Sequence, residues 1–137
     1  MVLSETKPRA PTVLIADDDE ATRLLLVQCF KTEGFTVVTA SDGVEACSTS
    51  IAENPDVVLL DLLLPRRDGY TVLLHFRARE ATRNVPVVIL SAESGEEHAE
   101  ISRTLGAQAF VTKPFTPSGI VATVRELLSK NPGAVGA

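Results

Sequence analysis

The feature that most constrains the fold is a repeated alternation of short β-branched runs with helix-spaced stretches. The runs are Thr12–Ala16, Phe35–Ala40, Asp56–Leu60, Val85–Leu90 and Ala109–Thr112. Within them, Val57 to Leu60 and Val87 to Leu90 are apolar without interruption. A strand wetted on one face alternates polar with apolar residues, so an unbroken run marks a strand covered on both faces. Helical spacing fills the intervals. Leu24 to Phe30 gives a broad apolar face that stops at Gly34, and Val44, Cys47 and Ile51 follow an Asp42–Gly43 turn. Val72, Leu73 and Phe76 come next, then His98, Ile101, Ser102 and Leu105 before Gly106. Ile120, Val121, Val124, Leu127 and Leu128 make the clearest stripe. The expected fold is α/β: a doubly wound, five-stranded parallel sheet with helices on both faces and right-handed crossovers.

A length of 137 residues suits one domain, expected over 12–130 between a flexible arm at 1–11 and a flexible tail at 131–137. A hydrophobic content of 45% can build its core without disulfides, so Cys29 and Cys47 read as small core residues. The net charge of −5 and the lack of a basic run argue against direct nucleic-acid binding. No apolar run approaches the ~20 residues that span a bilayer. The polar segment Met1 to Pro11 has no apolar signal region, so a cytoplasmic location is expected.

Just past the apolar runs stand Asp17-Asp18, Ser41-Asp42, Asp61, Ser91-Ala92 and Lys113-Pro114. In open parallel sheets, ligands bind beyond the carboxyl ends of the strands. Each residue also has an ordinary reading. Asp17, Asp18, Asp19 and Glu20 can cap the first helix, Asp61 a turn before Pro65, and Ser91 the fourth helix, while Lys113 can be a surface charge. Carboxylates gathered at one edge repel, however, unless a cation joins them. Mg²⁺ takes one or two carboxylates and fills its shell with water and phosphate oxygens. Mg²⁺ and a lysine neutralise an incoming phosphoryl group, and a hydroxyl bonds one of its oxygens. An ionised aspartate can then attack phosphorus without a base, giving an acyl phosphate. The set suffices for phosphoryl transfer to Asp61.

From Thr12 to about Lys130 the chain resembles the receiver domains of two-component response regulators. The motifs are Leu14-Ile15-Ala16-Asp17-Asp18-Asp19, Leu59-Leu60-Asp61 with Leu64-Pro65 and Asp68-Gly69, Leu90-Ser91-Ala92, and Lys113-Pro114-Phe115. Their order and spacing are specific together. The resemblance implies a flavodoxin-like sheet of strand order 2-1-3-4-5, an order taken from the family. It implies Asp61 as phosphoacceptor, with Mg²⁺ on Asp18, Asp61 and the Leu63 carbonyl and on Asp17 through water. Ser91 and Lys113 would contact the phosphoryl group, and Ser91 with Phe110 would form the switch. The implied partners are a histidine kinase or phosphotransfer protein and a protein target. The target would dock on the face made by the fourth helix, fifth strand and fifth helix.

Three departures from the family pattern bear on this. Ser91 stands where Thr is commoner, and Phe110 lacks the hydroxyl of the usual Tyr, which leaves plain core packing as its other reading. Nothing after Lys130 is large enough to be an output domain, so either output is expected through another protein or the chain is a receiver excised from a larger one. The resemblance also implies that the residues two past the acceptor and two past Ser91 border the path of the hydrolytic water. They are Leu63 and Glu93, a pair that implies slow self-dephosphorylation. Lys113-Pro114 can be cis or trans. His75 and His98 read as solvated or partly packed rings, and Arg66-Arg67 as a solvated loop.

The alternative function is a phosphorylation-independent pseudo-receiver, whose usual sign, loss of an acid or of the lysine, is missing. A flavin site fits poorly, because Asp17 to Glu20 would repel phosphate. Leu63 stands where aspartate-nucleophile phosphatases carry a second Asp, so no enzymatic turnover of other substrates is expected.

Overall fold

The computed structural model describes residues 9–92 and 96–130. The strands are β1 (Thr12–Ala16), β2 (Thr36–Ala40), β3 (Val57–Asp61), β4 (Val87–Ser91) and β5 (Ala109–Thr112). They alternate with α1 (Glu20–Thr32), α2 (Gly43–Glu53), α3 (Gly69–Ala78), α4 (Glu96–Thr104) and α5 (Pro117–Ser129). Every strand pairing is parallel, in the order 2-1-3-4-5. This is the expected doubly wound α/β architecture.

β3 and β4 are buried at all of their positions, as their unbroken apolar runs require. One face of the sheet, with Val13, Ile15, Leu59 and Leu90, packs on Leu26 and Phe30 of α1 and Ile120 and Val124 of α5. The other face, with Leu14, Leu60 and Ile89, packs on Ala46 and Cys47 of α2 and Val72, Leu73 and Phe76 of α3. Several strand boundaries differ from the sequence expectation, and two of them matter for the site. β3 starts at Val57, and the carboxylate of Asp56 just before it accepts from the Thr12 N–H (2.8 Å) and from Arg9. β3 and β4 each run one residue further, so Asp61 and Ser91 belong to the strands themselves.

The apolar face of α1 is narrower than its composition suggests. Leu26 and Phe30, one turn apart, are buried, while Leu24 and Leu25 are 55% and 51% exposed. A helix docked on one flank of a sheet can turn only part of its circumference inward. Ile51 of α2 is likewise exposed. Four helices begin at side-chain caps: Asp19, Asp42, Asp68 and Thr116 each accept from a backbone N–H three residues on. Such a cap contributes about 1 kcal/mol. The ordinary reading, a cap on the first helix, therefore holds for Asp19.

α4 is anchored differently from the others. Its one fully buried side chain is polar Ser102, whose hydroxyl has no hydrogen-bond partner among the described residues. Each of the other helices buries apolar side chains, each contributing roughly 1.5–3 kcal/mol when large. Among the described residues, no helix is long and apolar enough to cross a membrane.

Candidate functional site

Parallel register brings the chemical residues together. Ala16 pairs with Leu60, Asp61 with Leu90, and Ser91 with Thr112. Asp17, Asp61, Ser91 and Lys113 therefore stand at or just beyond the carboxyl ends of four neighbouring strands. Backbone bonds from Asp17 N–H to Ala40, Leu62 N–H to Leu90 and Lys113 N–H to Ser91 carry the pairing past the strand ends and fix those positions.

Carboxylate oxygens of Asp17, Asp18 and Asp61 lie within 4.8 Å of one another. The Lys113 ammonium donates to Asp17 Oδ2 at 3.0 Å and to Asp61 Oδ2 at 3.2 Å. Asp17 is fully buried, Asp61 nearly so, and Asp18 is exposed. Burial pushes the Asp61 carboxyl above its ordinary pKa, and the charge on Asp17 adds to the rise. The Leu63 N–H, 3.1 Å from Asp61 Oδ1, and the Lys113 ammonium oppose it. For Lys113, burial is the largest single influence and pulls downward. The bond to Asp17 and the two carboxylate charges outweigh it, so the ammonium is held more firmly than usual. Three carboxylates against one ammonium leave two negative charges uncompensated within the group. A hard divalent cation matches both this charge and the all-oxygen donor set.

The loop after β3 is pressed against the site. Gly69 N–H donates to the Leu62 carbonyl at 2.8 Å, and a Cβ on Gly69 would meet the Asp61 carbonyl oxygen at 2.7 Å. Gly43 meets the same loop from α2, where a Cβ would lie 1.9 Å from the Arg67 carbonyl oxygen. The sequence signals for this arrangement were Asp42–Gly43 and Asp68–Gly69. Leu63 leaves the loop with its side chain 58% exposed. Arg66 is exposed and reaches Asp42 at 3.4 Å, whereas Arg67 bonds Cys47 Sγ at 3.3 Å and is only partly solvated.

The remaining sequence candidates fall as follows. Ser91 is fully buried at the end of β4. Phe110 pairs with Ile89, is half-buried, and borders a cavity of about 150 Å³ between α4 and β5. Lys113-Pro114 is cis. Glu93 lies outside the described residues. Sequence reasoning missed Arg23, which donates to the Asp17 carbonyl at 2.7 Å; its place one turn into α1 was the available signal. It also missed the bond between the Tyr70 hydroxyl and His98 Nδ1, because those residues are far apart in sequence.

Comparison with known proteins identifies the family. The chain is 34% identical to alkaline phosphatase synthesis transcriptional regulatory protein PhoP of Bacillus subtilis, over 87% of this chain and 49% of that protein. It is 35% identical to transcriptional regulatory protein PrrA of Mycobacterium tuberculosis, over 92% of this chain and 53% of that protein. The chain thus spans about half the length of the curated relatives it matches. The receiver domain of Francisella response regulator 1452 is similar in structure, with a TM-score of 0.83 and 31% identity over 88% of this chain and 98% of that one. Chemotaxis protein CheY4 of Vibrio cholerae gives a TM-score of 0.81 and 26% identity over 85% of this chain and 98% of that one. The family model for the response regulator receiver domain matches residues 13–125. With its acids, hydroxyl and lysine gathered at the strand ends of a 2-1-3-4-5 sheet, the chain belongs to the response regulator receiver domain family.

Proposed function

We propose that this receiver accepts a phosphoryl group on Asp61 from a histidine kinase or phosphotransfer protein, in a Mg²⁺-dependent step in the cytoplasm. It then signals through a changed protein-binding face made by α4, β5 and α5. The observation that carries the reading is the gathering of Asp17, Asp18 and Asp61 around the Lys113 ammonium. In the transfer, an Asp61 oxygen forms the new bond to phosphorus. The P–N bond of the donor's phosphohistidine breaks, and the imidazole nitrogen keeps the electron pair. Lys113 moves its ammonium from Asp61 Oδ2 towards the phosphoryl oxygens, and the Ser91 hydroxyl donates to another. Asp18, Asp61 and the Leu63 carbonyl would hold Mg²⁺, with Asp17 acting through water. When bound, the ion neutralises negative charge on the transferred group. No acid, hydroxyl or lysine is missing, which disfavours a phosphorylation-independent module. The intact mass of the protein after incubation with acetyl phosphate tests the choice. One added phosphoryl group is expected with Mg²⁺ and none without it; an unchanged mass in both would remove the reading.

The lifetime of the signal depends on Leu63. An apolar side chain beside the acceptor cannot hydrogen-bond an attacking water. Leu63→Asn is therefore expected to shorten the phosphorylated state several-fold, since orienting one nucleophile is worth about 1 kcal/mol or more. The decay of phosphorylated protein after removal of the donor, at constant Mg²⁺, measures this. An unchanged lifetime would exclude Leu63 as the residue that sets it.

Phe110 is the other residue whose role separates switch from core. A phosphoryl group that draws the Ser91 hydroxyl inward frees space into which the ring can turn, biasing a two-state element. Phe110→Ala should leave phosphorylation nearly intact and reduce the phosphorylation-dependent gain in partner affinity. A gain that survives unchanged would leave Phe110 as packing only.

A further inference from the structure

α4 and the acceptor loop are joined by a contact that belongs neither to the acidic site nor to Phe110. The Tyr70 hydroxyl, at the start of α3, lies 2.9 Å from His98 Nδ1 on α4. The two rings stack with centroids 6.5 Å apart and planes inclined by 13°. Both side chains are half-buried. Either neutral imidazole tautomer can make this bond, Nδ1 donating to the phenol oxygen or accepting from its O–H. We propose that the Tyr70–His98 pair is a latch that holds α4 in its resting position and that phosphorylation at Asp61 releases. This rests on the functional reading above.

Two sets of observations carry it. The first is the poverty of other anchors. Among the described residues α4 buries no apolar side chain, and the Ser102 hydroxyl under it has no partner. The cavity of about 150 Å³ beneath is lined by Ala99, Ser102, Ala107 and Phe110 among others. A helix so loosely seated is sensitive to a single polar bond. The second is the path from Asp61 to Tyr70, which is short and stiff. Leu63 N–H holds Asp61 Oδ1, Gly69 N–H holds the Leu62 carbonyl, and Gly69 has no room for a Cβ against the Asp61 backbone. Tyr70 is the next residue. A phosphoryl group on one Asp61 oxygen removes the carboxylate charge that the Leu63 N–H and Lys113 now hold and draws Lys113 away from Oδ2. The loop must reset, and the first turn of α3 moves with it. The pair is thus a second connection from acceptor to α4, separate from the one through Ser91 and Phe110. Coupling of this kind is reciprocal, so loosening the latch also favours the phosphorylated arrangement.

Hydrogen exchange of the α4 amides, read by mass spectrometry, tests the latch in the wild type, Tyr70→Phe, His98→Phe and the double variant. Both substitutions keep an aromatic ring, so the stack and the fold are preserved while the bond is lost. In unphosphorylated protein each is expected to speed α4 exchange about five-fold, the equivalent of one net hydrogen bond, and the double variant no more than either. In protein shown by intact mass to carry one phosphoryl group, the same substitutions should leave α4 exchange unchanged, because the latch is already open. Unaltered exchange in unphosphorylated Tyr70→Phe overturns the proposal. An equal acceleration in both forms also overturns it, since the bond would then be a fixed tether. Should no phosphoryl group enter, the functional reading fails, and the unphosphorylated arm still decides whether the bond restrains α4.

Discussion

Asp61→Asn is expected to take up no phosphoryl group and, in metal-free buffer, to melt at a higher temperature than the wild type. The first outcome follows because an amide lacks the ionised oxygen that attacks phosphorus. The second follows from the raised carboxyl pKa, caused first by burial and then by Asp17. A carboxyl whose pKa is higher in the folded than in the unfolded chain binds its proton more tightly when folded. The stability it contributes is present below the ordinary value of 3.8 and is lost as pH rises through the folded value. At neutral pH the ionised group therefore strains the apo protein. Asparagine keeps the shape without the charge, and Lys113 retains Asp17 as partner at 3.0 Å. Melting curves at pH 4 and pH 7 measure the effect, and the advantage of the variant should shrink at the lower pH. A variant less stable than wild type at pH 7 would mean that the Lys113 bond to Asp61 outweighs the burial of its charge.

Mg²⁺ should raise the melting temperature of the wild type and hardly alter that of Asp18→Ala. The ion relieves repulsion among three carboxylates whose oxygens lie within 4.8 Å of one another. A ligand that binds only the folded chain stabilises it by about 2.7 kcal/mol at a hundred times its Kd. For a domain of this size that is a shift of several degrees, up to roughly 10 °C. Asp18 is the informative position because it is exposed, so its removal leaves the packed core alone. Chelation should return the wild type to its metal-free melting point. Equal stabilisation of both proteins would place the ion elsewhere.

Much of this was legible in the sequence because the relevant physics is local or periodic. Unbroken runs at 57–60 and 87–90 announced strands covered on both faces, and β3 and β4 are wholly buried. Asp17, Asp61, Ser91 and Lys113 could be placed at one edge because each directly follows or ends such a run, and parallel register preserves that level. What failed depended on neighbours that spacing does not name. Leu24 and Leu25 look like core residues, but only the side of α1 carrying Leu26 and Phe30 meets the sheet. Asp56 read as a strand residue because nothing local reveals that Arg9 and the Thr12 N–H claim its carboxylate. His98 read as an unremarkable ring, since its partner Tyr70 arrives from another helix. The isomer of Lys113-Pro114 was open because cis costs an X–Pro bond only about 0.5–1 kcal/mol.

Mapping the position of the phosphoryl group tests whether it resides on Asp61. Protein treated with Mg²⁺ and acetyl phosphate is reduced with borodeuteride, which converts an aspartyl phosphate to labelled homoserine. It is then digested and sequenced by mass spectrometry. A single labelled residue is expected, at position 61, and none in protein treated without Mg²⁺. Label at Asp17 or Asp18, or a phosphoryl group recovered on His75 or His98, would contradict it.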